Sequence, residues 1–451
     1  MSQVSQLKRL GLFDARVPRY TSYPTAPQFS NAVTPAQTGD WIAAIPAGDT
    51  ISLYIHVPFC RRLCWFCACR TQGTSTLSPV AIYVETLKKE LALIRDRLAP
   101  GVTIEHLHWG GGTPTLLSPE LIGDLSAAVF DAAPLAENAQ FSVEIDPNEI
   151  DGPRLDALAA AGMNRASIGI QDFDPAIQDT IGRPQSYEVT KAAVDALRAR
   201  GIDSLNADIL YGLPHQTEAK IADSVQKLLS LNPDRVALFG YAHVPWMAKR
   251  QALIPTEALP APEARLALFN VARELFLWDG FREIGIDHFA RPDDGLALAQ
   301  DAGTMRRNFQ GYTEDHSETL IGVGASAISR YRQGYAQNDP STSGYQRQVR
   351  DGALATKRGH AFRGDDLLRA RIIEMLLCDF RADLRQAADE TGHPAAKAEA
   401  MAQGLEAAFP DMLDVEHGVV TIRLPGRPLA RMIARYFDAY DAAATGHSHA
   451  V

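Results

Sequence analysis

The stretch ISLYIHVPFCRRLCWFCAC, residues 51–69, decides how the chain is read. Its first half alternates: Ile51, Leu53, Ile55 and Val57 share one face of an extended segment, and Ser52, Tyr54 and His56 share the other. Its second half packs four of the chain's five cysteines, Cys60, Cys64, Cys67 and Cys69, into ten positions at the spacing CxxxCxxCxC. A strand with one apolar and one polar face runs directly into a sulfur-rich loop.

Outward from that strand, further strand-like runs fall at 105–109, 141–146, 165–171, 204–210 and 235–241. Helical patterns separate them, at 80–98, at 117–133 with Ser118 as N-cap and Pro119 in the first turn, and at 153–161, 186–200 and 218–231. This order implies parallel βα units. A parallel sheet covered on both faces reads as continuous apolar runs, but these strands alternate. Phe141, Val143 and Ile145 oppose Ser142, Glu144 and Asp146, and Leu205, Ala207 and Ile209 oppose Asn206 and Asp208. If the aliphatic faces pack on helices, the polar faces line the inside of a curved sheet. A closed eight-stranded barrel fills that space with branched aliphatics, so the pattern predicts an open, ligand-filled α/β barrel.

FREIGIDHFA (281–290) and TLIGVGASAIS (319–329) are expected to extend the sheet, with an amphipathic helix over 263–280. From about residue 341 the pattern turns helical, at 365–380, 393–409 and 426–443, with a small hairpin about His417 and Gly418. VPRYTSYPTAPQF (17–29), rich in aromatics and proline, reads as an extended arm lying on the barrel. The expected division is an N-terminal arm over 1–48, a partial barrel with its extension over 49–340, and a mainly helical C-terminal domain over 341–451.

The chain has 451 residues and a net charge of −10, from 44 basic and 54 acidic residues, and no Lys/Arg run able to track a phosphate backbone. Nucleic acid is excluded as a partner on that ground. The N-terminus lacks a signal-like apolar region and no stretch approaches the ~18 apolar residues of a membrane span, so the expected location is the cytoplasm. A reducing compartment disfavours disulfides, which leaves metal binding or catalysis for the loop. Cys378 lies among apolar residues at helical spacing and takes no role.

Structural zinc draws its thiolates from two separated knuckles, and no second cysteine pair exists. An iron–sulfur cubane accepts three thiolates from one tight loop. Its fourth iron then lacks a cysteine unless Cys69 supplies it. An open iron suits a chelating amine and carboxylate, which S-adenosylmethionine offers.

CxxxCxxC after the first strand of a partial barrel resembles the radical S-adenosylmethionine superfamily. The likeness narrows through PRYTSYPTA, YIHVPFC, CWFCAC, HWGGGTPT, VEIDP, GIQDF, DILYGLP, YAHVP, DHFARPDD, NFQGYT and GVGASAIS. This set is similar to the family of oxygen-independent coproporphyrinogen III oxidases. The resemblance implies a partial (β/α)6 barrel, a 4Fe-4S cluster on Cys60, Cys64 and Cys67, and a Cys69 needed for activity without being a ligand. It implies that Tyr54, Gly111 and Glu144 contact one S-adenosylmethionine, Tyr54 also having a catalytic part. Phe66, Gly112, Thr113, Gln171, Arg183, Asp208, Ala242 and Ile328 would contact a second molecule. Tyr54, Glu144, Gln171 and Asp208 independently fall near C-terminal strand ends, where barrel enzymes keep their chemistry. The WGGGTP glycines remove Cβ atoms that would block close approach of backbone to ligand. His56, His106 and His108 share the inward alternation without a catalytic role, His108 being a candidate substrate contact.

The implied reaction passes one electron from the reduced cluster into the sulfonium, giving methionine and a 5′-deoxyadenosyl radical. That radical removes a hydrogen from a propionate side chain, which then loses carbon dioxide and an electron to become vinyl. Done twice, this takes coproporphyrinogen III to protoporphyrinogen IX in haem biosynthesis, with a reduced flavodoxin or ferredoxin type donor and a monomeric enzyme. A substrate with four carboxylates needs arginines on this acidic protein, and Arg19, Arg291, Arg306 and Arg307 are the candidates. A haem chaperone shares the core but generally lacks the CxC ending and the PRYTSYP arm, both present here.

Overall fold

The computed structural model describes residues 3–440 and 450. Six parallel strands, β1 Thr50–Val57, β2 Thr103–Gly111, β3 Leu135–Ile145, β4 Arg165–Gln171, β5 Ser204–Tyr211 and β6 Arg235–Gly240, lie side by side in chain order within a twelve-stranded sheet. Helices α1 Ser78–Arg95, α2 Pro119–Ala132, α3 Gly152–Ala160, α4 Tyr187–Arg198 and α5 Glu218–Ser230 carry the chain back between them. Ser118, Asp151, Ser186 and Thr217 each accept a backbone N–H at a helix start, which fixes where these helices begin.

The alternation sets the register. Ile51, Leu53, Ile55 and Val57 are at most 3% exposed and share a core with Val84, Leu87 and Leu91 of α1 and Leu125 and Val129 of α2. Each such side chain contributes roughly 1.5–3 kcal/mol on burial. A slip of one residue would drive Ser52, Tyr54 and His56 into that layer instead.

The sheet is extended at opposite edges. FREIGIDHFA becomes the hairpin β7 Arg282–Ile284 and β8 His288–Ala290, antiparallel to β6. TLIGVGASAIS becomes β9 Leu320–Val323, parallel to β1, and β10 Ile328–Tyr331, with β11 Gly334–Asn338 beyond it. The sheet runs past residue 340: β12 Thr356–Ala361 pairs with β11 at the edge. Its sequence, TKRGHA, carries no apolar alternation that would mark it as a strand.

Beyond it, α6 Asp366–Asp379 and several shorter helices surround a three-stranded sheet, Arg381–Asp383, Leu413–Glu416 and Val419–Ile422. His417 and Gly418, both at left-handed φ (54° and 81°), make the predicted hairpin turn. The single helix expected over 393–409 is two, Ala395–Met401 and Leu405–Ala408, because Gly404 sits at φ +83° and interrupts the ladder. The helix expected over 426–443 is Ala430–Tyr436, and residues 441–443 lie outside the described residues.

The arm does more than lie on the barrel. Tyr20 donates to Asp438 and Tyr23 accepts from the Ala439 N–H, both at 2.9 Å, while Arg19 donates to the Gly240 carbonyl at the end of β6 and Ser30 pairs with Gly359 of β12. Leu7, Leu12 and Phe13 pack into the C-terminal core. The arm therefore ties the helical region to the barrel mouth. Among the described residues no helix is long and apolar enough to cross a membrane.

Candidate active site

The cysteine loop leaves the C-terminal end of β1. Phe59–Cys60 pairs with Gln72–Gly73, and the Cys60 carbonyl accepts from the Thr74 N–H at 3.0 Å, so the loop is closed at its base. The Trp65 N–H donates to the Ile181 carbonyl at 2.9 Å, holding the loop to the segment that follows β4. Gln251 donates to the Phe66 and Ala242 carbonyls, at 2.6 and 3.0 Å, and so joins the loop to the segment after β6.

All four thiols are free; Cys60, Cys64 and Cys67 are partly exposed and Cys69 is exposed. Cys69 donates its N–H, at 3.4 Å, and its S–H to the Cys67 sulfur. That bond, outweighing burial and aided by Arg250 and Arg183, brings the Cys67 thiol down to about 6 and drives Cys69 well above its ordinary value. Burial pushes Cys60 up to about 11 against a hydrogen bond with Thr113. Arg183 reaches Cys64 Sγ at 3.4 Å and the Gly169 carbonyl at 2.8 Å and lies 3.7 Å from Asp146. Its Nε is buried without a partner.

Beside the loop, the glycine triplet closes β2. The Gly111 N–H donates to Glu144 Oε2 at 3.0 Å. The space freed by the glycines is taken by protein: a Cβ on Gly110 would lie 2.5 Å from Glu144 Oε1, and one on Gly112 2.5 Å from the Phe59 carbonyl. Gly111 combines φ +111° with a Cβ position 2.5 Å from the His56 ring. The triplet thus lets β2, Glu144 and the start of the cysteine loop approach one another, a packing role that the ligand-approach expectation left out.

Inside the lumen, Tyr54 stacks on His108 at 5.7 Å between ring centres and its hydroxyl meets His56 Nδ1 at 3.0 Å. His108 lies 3.5 Å from Glu144. Burial raises the Tyr54 phenol and lowers the His56 imidazole, so both stay neutral near pH 7. Asp208 accepts from Asn206 at 2.9 Å; burial, opposed by that bond and aided by the Glu144 charge, raises its carboxyl to about 6. Gln171 ends β4 in the left-handed region (φ 70°), where the pairing with β5 shifts register. A non-glycine residue there marks a constrained site. Ala242 follows β6, and Ile328 opens β10, two strands from β1 across β9.

Two of the expected substrate arginines lie beside protein carboxylates. Arg291 stacks on Phe281 and bonds to Asp279, and Arg306, on the strand that carries Arg307, lies 3.8 Å from Glu374 with one buried nitrogen lacking a hydrogen bond. Arg19 and Arg307 do come together. Arg307 donates to the Tyr20 and Arg19 carbonyls at 3.4 Å, stacks on Tyr312 and lies 3.9 Å from Asp287, and one of its nitrogens is buried without a hydrogen bond. Arg265, donating to the Gly212 and Tyr241 carbonyls, and Arg431, donating to the Val17 and Pro18 carbonyls, join them. Burial, with Arg19 and Arg307 nearby, lowers Arg431 to about 9.

A family description, the Radical SAM superfamily, matches residues 54–228, from Tyr54 through the cysteine loop into α5. Fold and site define the same class, enzymes that use a 4Fe-4S cluster and S-adenosylmethionine. The loop fits that cluster. Cys60, Cys64 and Cys67 are three free, partly exposed thiols on one loop closed at its base, the donor set from which a cubane takes one thiolate for each of three iron corners. The chain is 63% identical over the whole of both chains to the oxygen-independent coproporphyrinogen III oxidase of Paracoccus denitrificans, and 58% identical over 98% of each to that of Cereibacter sphaeroides. The solved coproporphyrinogen III oxidase of Escherichia coli, a radical SAM enzyme, superposes with a TM-score of 0.89 at 36% identity, covering 95% of this chain and 100% of that one. The chain belongs to the oxygen-independent coproporphyrinogen III oxidase family.

Proposed function

We propose that the chain converts coproporphyrinogen III to protoporphyrinogen IX without oxygen, turning two propionates into vinyl groups. The supporting observation is convergence: the cysteine loop, the carboxylates of Glu144 and Asp208 and an arginine cluster meet around the C-terminal ends of strands whose polar faces form one lumen. In this reading Cys60, Cys64 and Cys67 hold the cluster. Cys69, outside the ligand set, steadies Cys67 through its two hydrogen bonds. Tyr54, Gly111 and Glu144 contact the first S-adenosylmethionine, Glu144 offering a carboxylate to its ammonium group. Phe66, Gly112, Thr113, Gln171, Arg183, Asp208, Ala242 and Ile328 surround a second molecule. When bound, cluster and S-adenosylmethionine together supply a carbon radical able to take hydrogen from an unactivated C–H bond.

The chain's own part is positioning and exclusion of water. Arg19 and Arg307, with Arg265 and Arg431 adding charge, bind substrate carboxylates beneath the arm. The arm in turn covers the lumen and anchors to the helical region through Tyr20 and Tyr23. Tyr54 and His56, both neutral, wall the radical's path without offering a charge. A cytoplasmic monomer reduced by a flavodoxin or ferredoxin type protein completes the reading.

One anaerobic assay tests it: cluster-loaded protein, S-adenosylmethionine, dithionite and coproporphyrinogen III, read by mass spectrometry. The expected result is two successive losses of the elements of formic acid, each matched by one methionine. Stable haem binding with an unchanged tetrapyrrole mass would point to a delivery protein instead.

A further inference from the structure

A cleft of about 1230 Å³ does not open onto the lumen residues just described. Its lining includes Leu63, Trp65, Ala68, Cys69 and Arg70 from the cysteine loop and Trp246, Met247, Lys249, Arg250 and Leu253 from the segment after β6, but not Tyr54, Glu144, Gln171 or Asp208. The cluster loop thus reaches the surface here, and none of Arg19, Arg265, Arg307 and Arg431 is in the lining.

Two features of this face are out of keeping with the rest of the chain. Three large apolar side chains stand in solvent close together: Trp246 is 56% exposed, Met247 68% and Leu253 59%. Grouped exposure of aromatic and methionine side chains is the composition of a protein interface. The second feature is charge. The protein carries −10 in total, yet residues 58–84 and 241–256 contain no Asp or Glu while contributing Arg70, Lys249 and Arg250 to the cleft. No side chain lining the cleft is acidic. Arg250 donates to the Cys69 carbonyl at 3.2 Å, and Arg16 lies 5.8 Å over the Trp246 ring. On an acidic protein, a carboxylate-free cationic face is a local reversal that attracts an acidic partner and repels a copy of the chain itself.

The geometry points to a docking surface for a small acidic protein that carries a single electron at low potential. This inference rests on the proposed reaction, because a cluster that reduces S-adenosylmethionine must be reduced from outside in each cycle. The step is a bare electron transfer: the carrier is oxidised by one electron, the cluster reduced by one, and no bond or proton moves. Trp246, Met247 and Leu253 supply the apolar centre, and Arg70 and Lys249 the cationic rim. A tetracarboxylate substrate is the competing anion, but its arginines lie under the arm and its reacting carbons belong in the lumen.

The test uses the cluster-loaded full chain and reduced flavodoxin. Calorimetric titration measures binding for the wild type and for Trp246→Ala and Lys249→Glu, both exposed positions outside the site, at low and moderate salt. The expected result is flavodoxin binding that weakens with salt and falls about tenfold or more in each variant. Coproporphyrinogen KM and the dithionite-driven rate should stay at wild-type values. Two results would overturn the inference: a wild type that shows no salt-sensitive flavodoxin binding, or variants that bind flavodoxin as the wild type does; a raised coproporphyrinogen KM in those variants would make the cleft a substrate entrance. The dithionite arm reads the reaction alone and the titration reads the surface alone, so failure of one is told from failure of the other.

Discussion

Two groups of arginines flank the lumen and teach opposite lessons. At the N-terminal ends of the strands, Arg235 makes paired bonds to Asp294 (2.6 and 2.8 Å) and Glu314 (2.9 and 2.8 Å), and Arg165 lies 3.5 Å from Asp294. Two cations thus meet two anions, and both arginines line a small cavity of about 120 Å³. Beneath the arm, Arg19 and Arg307 spend their hydrogen bonds on neutral carbonyls, and the carboxylate facing Arg307, Asp287, is already bonded to His288 at 2.7 Å. A closed account of charge marks structure, and an open one marks a place for an anionic ligand.

The largest effect should come from breaking the closed group. Arg235→Ala leaves Asp294 and Glu314 buried without their main partner, and we expect a loss of about 3–5 kcal/mol of stability in urea unfolding. The pH response carries the same information. Burial would raise Glu314, but Arg235 and Arg165 hold it down at about 2. A depressed native pKa gives stability that is complete above the unfolded value of about 4.3 and disappears as pH falls toward 2. The variant should lose that acid-side slope.

Arg307→Gln probes the open group and should act on function more than on folding. Loss of one charged, forked contact to a propionate is worth about 2 kcal/mol. The expected outcome is a coproporphyrinogen KM raised about thirtyfold, S-adenosylmethionine affinity unchanged, and a smaller drop in the urea midpoint than Arg235→Ala gives. If the midpoint falls as far and KM stays put, the two groups are alike and the distinction fails.

How much of this contrast could be read beforehand follows from where each residue sits. Strand residues declare their faces through a period of two, so Tyr54, Glu144 and Asp208 were placed in the lumen from the sequence. The cysteine loop is contiguous and its spacing speaks for itself. Arg265 and Arg431 left no such signal, since a polar residue on a helix reads as a solvated face until a neighbouring element covers it. Gln251 was missed because its bridging of Phe66 and Ala242 is a long-range contact without local pattern, although it lies five residues beyond Trp246, which closes the YAHVPW stretch. Arg291 is spoken for in a way the sequence does not display: Asp279, twelve residues upstream, accepts from it at 3.0 Å only once the fold brings them together.

Glu144 belongs with the open side. It accepts one backbone N–H and stands 3.5 Å from a histidine, and among the described residues no arginine or lysine pairs with it. Replacing it with Gln keeps the Gly111 bond and removes the charge offered to an ammonium group. S-adenosylmethionine binding to the cluster-loaded protein, followed by titration calorimetry, should weaken about tenfold, or roughly 1.4 kcal/mol.

Asp208 gives the smallest effect and the sharpest sign. Its carboxyl is raised to about 6 chiefly by burial, against an unfolded value near 3.9. The native state therefore holds more protons than the unfolded chain between those values, so stability falls as pH rises through that window, the reverse of Glu314. Asp208→Asn removes the ionisation. Thermal unfolding of the cluster-free variant should match the wild type near pH 4 and exceed it by about 1 kcal/mol at pH 8, discounted for the residue's partial exposure. A wild-type slope that persists in the variant would mean another lumen group is responsible. A variant less stable at pH 8 would mean that the carboxylate is compensated in the native protein, which would move Asp208 from the open side of the comparison to the closed one.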